Sequence, residues 1–359
     1  MSCINLNAIE FNRAETLLAK HGSIAIHAFR YKSGVAALRV TNTVGELIFL
    51  PFHGQQIWDV TFYGRRLTMR SMFDEPTGST EYLSNYGAFL LHCGATAMGN
   101  PSSQDNHPVH GELPNAIYQN AEIVLSEDDS GKFVELTGTY KHTVAFSYNY
   151  EARPRVKFAE NSGLLEMNLE IANLKNSTMD LMYLAHVNFK PVDDAVLIDT
   201  ASDDPSKVRV RDMFPEFFKP TAAYLAHIAA LQKQPFLHRK LKAGQAIDPE
   251  LVIGLTFKTD EQGLAHSMQL LPGGSADVIS HRPSELPHGV RWITRTADQD
   301  ALGLFLPGTA EANGYIAEKA KGNVMEIAPK ASFTCSLIFG ALDKPATAQF
   351  KNKITRLND

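Results

Sequence analysis

With 359 residues, 44% apolar and 20% charged, the chain has ample material for a buried core and lacks the composition of a disordered segment. A net charge of −5, with Lys and Arg scattered along the sequence, argues against nucleic acid as a partner. Cys3, Cys93 and Cys335 form no CxxC pair, the N-terminus MSCINLNAIEFNRAE carries charges where a secretory segment is apolar, and no run nears the ~20 apolar residues that span a bilayer. These features lead to the expectation of a soluble, cytoplasmic protein with no membrane partner.

The pattern around Ile9–Lys20 is amphipathic and predicts a helix within an N-terminal extension over residues 1–33. From Gly34 onward short β-rich runs dominate, among them VAALRVTN, ELIFLPF, IWDVTFY, FVELTGTY and LMYLAHVNF. The clearest is Leu164–Leu174, where Leu165, Met167, Leu169 and Ile171 share one face and Glu166, Asn168 and Glu170 the other. Between Pro215 and Pro235 the spacing becomes helical, with Thr221 as N-cap, so a helical insertion over 215–235 is predicted and His227 reads as a packing residue. Strand-like runs then resume to Asp343, and 344–359 reads as a polar surface tail. With no repeat and no linker, many short strands and one insertion predict a single all-β, mainly antiparallel sandwich domain over 1–359.

The densest collection of reactive side chains is Leu91–Ala116, LHCGATAMGNPSSQDNHPVHGELPNA, which reads as an ordered loop between strands. Within it, His107, His110 and Glu112 can serve as acid/base groups, sugar contacts, metal ligands or surface caps. In an extended chain His110 and Glu112 would share a face, and His107 would join them only through a turn at Pro108. The strand LMYLAHVNF puts Tyr183, Ala185, Val187 and Phe189 on one face, and Leu184, His186, Asn188 and Lys190 on the other. A His–Asn pair on an apolar strand needs partners, which a polar pocket supplies. HRPSELPHGVRWITRTAD offers Arg291 and Trp292, a ring to stack on sugar C–H surfaces beside a forked donor. Glu311 and Glu318 in AEANGYIAEKAKGN read most simply as solvated charges. Cys93 is a weak candidate nucleophile, and no GxSxG elbow, Walker loop or dinucleotide fingerprint is present.

Taken in order, LLHCGATAMGNP, HPVHGELPNA, YLAHVNFKP, ALGLFLPGTAEANGY and EIAPKASFTCSLIFGALD resemble the galactose mutarotase-like superfamily, in its aldose 1-epimerase-like branch. The resemblance spans roughly Gly34 to Asp343 and implies a β-supersandwich with a sugar-binding cleft. It further implies that His186 donates a proton to the sugar ring oxygen while His110 binds or assists. The superfamily's catalytic glutamate has no counterpart in Leu302–Pro307, nor its arginine in CGATAMGNP, where Asn100 is the nearest polar group. Glu112 and Glu318 are then the candidate carboxylates.

The resulting expectation is a carbohydrate isomerase interconverting sugar anomers, with His110, His186 and Glu112 catalytic and His107, Asn188, Arg291, Trp292 and Glu318 binding substrate. No cofactor is required, the ligand is a carbohydrate or sugar acid, and pairing of two copies across a sheet face is compatible with the fold. Two alternatives stay open: a non-catalytic carbohydrate-binding protein, and a metal-dependent sugar isomerase or lyase using His107, His110, Glu112 and His186.

Overall fold

Alternation of apolar and polar residues along the strands builds two antiparallel sheets that bury one face each against the other. The structure, a computed structural model, describes residues 1–202, 204–211 and 220–358. One sheet has nine strands, in the order Ser2–Leu6, Asn120–Asp128, Gly131–Val144, Tyr148–Ala159, Leu164–Asn173, Ser332–Leu342, Ala276–His281, Ala265–Leu270 and Val196–Asp199. The other has thirteen, and its main path of eleven begins Arg209–Val210, Ile247–Gly254, His288–Arg295, Asp300–Gly308, Met179–Val187 and Leu90–Ala95. Strands 56–62, 45–50, 36–41, 24–30 and 16–21 complete that path.

Leu165, Met167, Leu169 and Ile171 lie in the core between the sheets, as their spacing predicts, together with Tyr183, Ala185, Val187 and Phe189. Met182 and Leu184, on the opposite face of the same strand, pack in a second cluster outside the thirteen-stranded sheet with Trp58, Tyr82, Tyr86, Leu91 and Trp292. That outer face carries the candidate site.

Three expectations are corrected. Ile9–Lys20 is no helix: Asn7 caps one 3-10 turn at Ala8–Glu10, and Thr16–His21 pairs with Ile24–Arg30 as a hairpin. The first 33 residues are thus woven into both sheets, since Ser2–Leu6 pairs with Asn120–Asp128. The C-terminal residues form a helix, and Glu318 is buried rather than solvated.

Helix α1 (Ala222–Lys233) starts where expected, with Thr221 Oγ1 accepting from Tyr224 N at 3.2 Å, whereas 215–219 of the predicted insertion lie outside the described residues. Helix α2 (Tyr315–Lys321) follows Gly314, and helix α3 (Lys344–Asn358) begins where Asp343 caps Ala346 N at 2.9 Å. In α3, Ala346, Phe350 and Ile354 recur every four residues and pack on Met268, Val278 and Leu342. No helix among the described residues is long and apolar enough to cross a membrane.

Candidate functional site

Alternate residues of four strands of the thirteen-stranded sheet floor a cavity of about 400 Å³: Leu184 and His186, Leu306, Val290, Trp292 and Thr294, and Glu250 and Val252. Its rim comes from Tyr82 and Tyr86 on one side, Val109 and His110 on another, and Thr296–Gln299 on a third. The rim segments are pinned by a buried amide network: Asn115 Oδ1 accepts from Gln56 Nε2 at 2.8 Å and Asn85 Nδ2 at 2.9 Å, while Asn115 Nδ2 donates to Glu81 O at 3.1 Å.

The floor opens because a strand ladder is interrupted. Met179–Val187 meets Asp300–Gly308 at Leu184↔Gly308, and the next bridge is Phe189↔Leu302. His186 stands inside this gap, 5% exposed. Its Nδ1 lies 2.7 Å from Asn188 Oδ1, and Asn188 Nδ2 donates to Ala88 O at 3.0 Å, which fixes the amide orientation. Asn188 Oδ1 is therefore an acceptor, and the proton of a neutral His186 sits on Nδ1. Nε2 is left as the nitrogen available to the cavity, with no bond to any described residue. Burial pushes the His186 pKa down to about 4, so the ring is uncharged at neutral pH.

His110 faces it, the two ring centroids 5.7 Å apart and nearly perpendicular. Burial and the nearby His186 and His107 push the His110 pKa down to about 3, and its Nδ1 is buried without a partner. Tyr82 and Tyr86, centroids 4.8 Å from His110 and 5.7 Å from His186, keep their hydroxyl protons because burial raises both. The Cys93 thiol beneath is fully buried and pushed up by that burial, which suits packing rather than nucleophilic attack.

A carboxylate that sequence reasoning missed completes the row. The Trp292 ring lies 5.3 Å from His186, and its Nε1 donates to Glu250 Oε2 at 2.6 Å. Glu250 Oε1 accepts from Arg211 Nη2. His110, His186, Trp292, Glu250 and Arg211 thus run in sequence along the cavity. Strand parity gives a partial signal, since Glu250 shares its parity with Val252 but also with Asp248, and a register shift between Ile247 and Leu251 interrupts the alternation.

Of the residues expected in this site, His110, His186 and Trp292 line the cavity, and Asn188 sits behind His186 and orients it. The other four lie elsewhere. Arg291 is fully buried on the far side of the sheet, donating to Leu304 O at 3.0 Å and Asp199 Oδ2 at 2.9 Å. Glu318 accepts from Glu311 N at 3.0 Å, Asn323 Nδ2 at 2.8 Å and Lys321 Nζ at 2.8 Å, a knot that holds the turn before α2.

Glu112 turns away from His110 because His110 and Gly111 both adopt left-handed backbone, φ 59° and 79°, which breaks the expected parity. Its carboxylate accepts from Thr96 Oγ1 at 2.7 Å and Tyr150 OH at 2.5 Å. His107 accepts from Tyr315 N at 3.3 Å and ties the loop to α2. His107, His110 and Glu112 therefore do not converge, and among the described residues no three His, Cys, Asp or Glu side chains are grouped as metal ligands.

Comparison with solved structures places the chain beside a candidate aldose 1-epimerase of Klebsiella pneumoniae, at a TM-score of 0.83 and 16% identity, covering 100% of this chain and 96% of that one. A galactose mutarotase-like protein of Clostridium acetobutylicum matches at TM-score 0.59 and 14% identity, with coverages of 89% and 99%. A candidate aldose 1-epimerase of Escherichia coli K12 matches at 0.53 and 13%, with coverages of 92% and 99%. At such identities the likeness speaks for the fold, which is the galactose mutarotase-like sandwich. Comparison with curated proteins gives no match. A family profile described as a domain of unknown function, DUF4432, matches residues 32–212, just over half of the sequence, and the chain belongs to that family.

Proposed function

We propose that the cavity interconverts the anomers of an aldose by general acid–base catalysis, as an aldose 1-epimerase does. The observation that carries this reading is the His186–Asn188 clamp, which presents an unprotonated imidazole nitrogen to a cavity walled by Trp292, Tyr86 and His110. Ring opening takes a proton from the anomeric hydroxyl O1, breaks C1–O5 and returns a proton to O5; rotation about C1–C2 and reclosure give the other anomer. His186 Nε2 has no proton to give at the outset, so it begins as the base at O1. The imidazolium so formed strengthens its bond to Asn188 Oδ1 and can hand the proton to O5, which shares C1 with O1. One imidazole thus serves both oxygens in turn. The acid role that family resemblance implies for His186 comes second, with His110 alongside the reacting atoms. The structural relatives named as aldose 1-epimerases support the reading at the level of fold.

Exchange NMR on α and β anomers of a panel of hexoses and pentoses tests it. Wild type accelerates exchange of at least one sugar, and His186→Ala lowers that acceleration by about 10²–10⁴-fold. No acceleration across the panel, or equal rates for the two proteins, overturns the proposal. One observation favours a second reading: Leu306 offers the cavity an apolar side chain from Asp300–Gly308, where the resemblance calls for a carboxylate. Sugar binding with no exchange would establish a binding protein instead.

A further inference from the structure

Along the row from His110 to Arg211, chemistry and charge are segregated. The histidine end holds neutral imidazoles, while the far end holds the ion pair of Arg211 and Glu250; Asp298, on the rim, is the other ionic group of the described cavity wall. Arg211 is the sole cation among those described lining residues, and its guanidinium is engaged by Glu250. Both Glu250 oxygens are engaged in turn, one by Arg211 and one by Trp292 Nε1 at 2.6 Å. An anionic substituent arriving here meets the Glu250 carboxylate and one cation already spent on it. It could take Arg211 only by displacing Glu250, leaving that carboxylate half-buried with the indole N–H alone. Sugar hydroxyls face no such penalty, because each Glu250 oxygen keeps a lone pair for O–H donors and Arg211 keeps N–H groups for oxygen acceptors. A cavity of about 400 Å³ lies at the small end of ligand pockets, which suits one monosaccharide rather than a chain of them.

We propose that the Glu250–Arg211 pair is a charge filter, setting the end of the cleft remote from His186 to take the hydroxyl end of a neutral monosaccharide and to refuse one that carries a carboxylate or phosphate there. The placement of the sugar rests on the reading above, with the anomeric carbon at His186 and its far end at Glu250. The filter does not need turnover, because it acts on binding. It also makes Glu250 a residue of specificity, which separates it from the proton transfers at the other end.

The experiment compares galactose with galacturonate and glucose with glucuronate, pairs that differ only in the oxidation of C6. Calorimetric binding and exchange NMR are measured for wild type, Glu250→Gln and the double variant Glu250→Gln/Arg211→Gln, each first shown to melt cooperatively. Wild type prefers the neutral member by about tenfold or more. Glu250→Gln frees Arg211 and shifts the uronate-to-hexose ratio by about tenfold or more toward the uronate, and the double variant loses that gain. Equal binding of both members by wild type, or a ratio unchanged in Glu250→Gln, overturns the filter. Hexose preference without anomer exchange leaves the filter standing and overturns the epimerase reading. Exchange without charge preference does the reverse, and absence of binding by all four sugars overturns the filter, leaving the epimerase reading to the wider panel.

Discussion

His186 and His266 stand on strands of the two different sheets, 5% and 2% exposed, each with Nδ1 2.7 Å from a neutral side-chain oxygen, Asn188 Oδ1 and Ser280 Oγ. They differ at the other nitrogen. His266 Nε2 lies 3.0 Å from Asp260 Oδ2, and Lys353 of α3 binds the same carboxylate. Ser280, His266 and Asp260 have the composition of a hydrolase triad, yet Ser280 is 4% exposed and both imidazole nitrogens are spent. The cluster fastens α3 to the sheet. His186 has the same burial and one bond fewer, and its free nitrogen is at a cavity. What separates His186 from His266 is an unspent nitrogen with room in front of it.

Exchanging the two by mutation gives the largest effects. His186→Ala lowers anomer exchange by about 10²–10⁴-fold with little change in melting temperature, while His266→Ala leaves exchange intact and costs about 2–3 kcal/mol by removing a buried ring bonded to both Ser280 and Asp260, as chemical denaturation reads. Arg291→Met should cost about 2–3 kcal/mol, because buried Asp199 loses the nearer of its two arginine partners and keeps Arg239 at 3.5 Å, with sugar affinity unaltered in the folded fraction. If affinity collapses instead, Arg291 reaches the cleft after all.

Acid acts on His186 as it does on two other buried histidines. His92, His186 and His281 are held at about 4, 4 and 3 by burial, whereas an unfolded chain protonates them near 6.5. Their stabilising effect is complete above that value and drains as pH falls toward the folded values, by about 2 kcal/mol each at pH 5. Denaturation midpoints measured from pH 7 to 5 check this. Over the same range, kcat/KM of wild type shows no inflection near 6.5, because His186 is already unprotonated.

Asn188→Asp gives His186 the kind of partner that His266 has. The His186 pKa should rise by about 1–3 units and an acidic limb should enter the kcat/KM profile, whereas an unchanged profile would remove His186 from the proton transfer. Smallest of all is Glu112→Gln, expected to change exchange by less than about threefold, since Glu112 braces Thr96 and Tyr150 away from the cavity.

Much of the sandwich could be read from alternation, because period-2 burial is a local property: the faces predicted for Leu164–Leu174 and for Tyr183–Phe189 are the faces found. His110 and His186 could be named as cleft residues from their motifs. Other features depend on backbone geometry or distant partners. Two successive left-handed residues at His110–Gly111 send Glu112 the wrong way, with Gly111 as the only sequence hint. Glu318 is buried because Asn313, Lys321 and Asn323 converge on it, which no spacing rule foretells. Arg291 was avoidable. Neighbours on a strand point to opposite faces, so a cleft that takes Trp292 puts Arg291 inside. The same rule, applied to DPELVIG, offers Asp248 and Glu250 together, and only the irregular register before Leu251 separates them. The terminal helix was legible too, in the four-residue spacing of Ala346, Phe350 and Ile354.

The interrupted ladder between Leu184↔Gly308 and Phe189↔Leu302 acts as a seam in the large sheet. His186 belongs to the leaf on one side, and Trp292, Glu250 and Arg211 to the leaf on the other. A sugar held by His186 at one end and Glu250 at the other spans the seam and staples the leaves together. If the cleft holds a sugar as proposed, occupancy of the cleft and stiffness of the sheet are one property, with the ligand bound by the two leaves themselves.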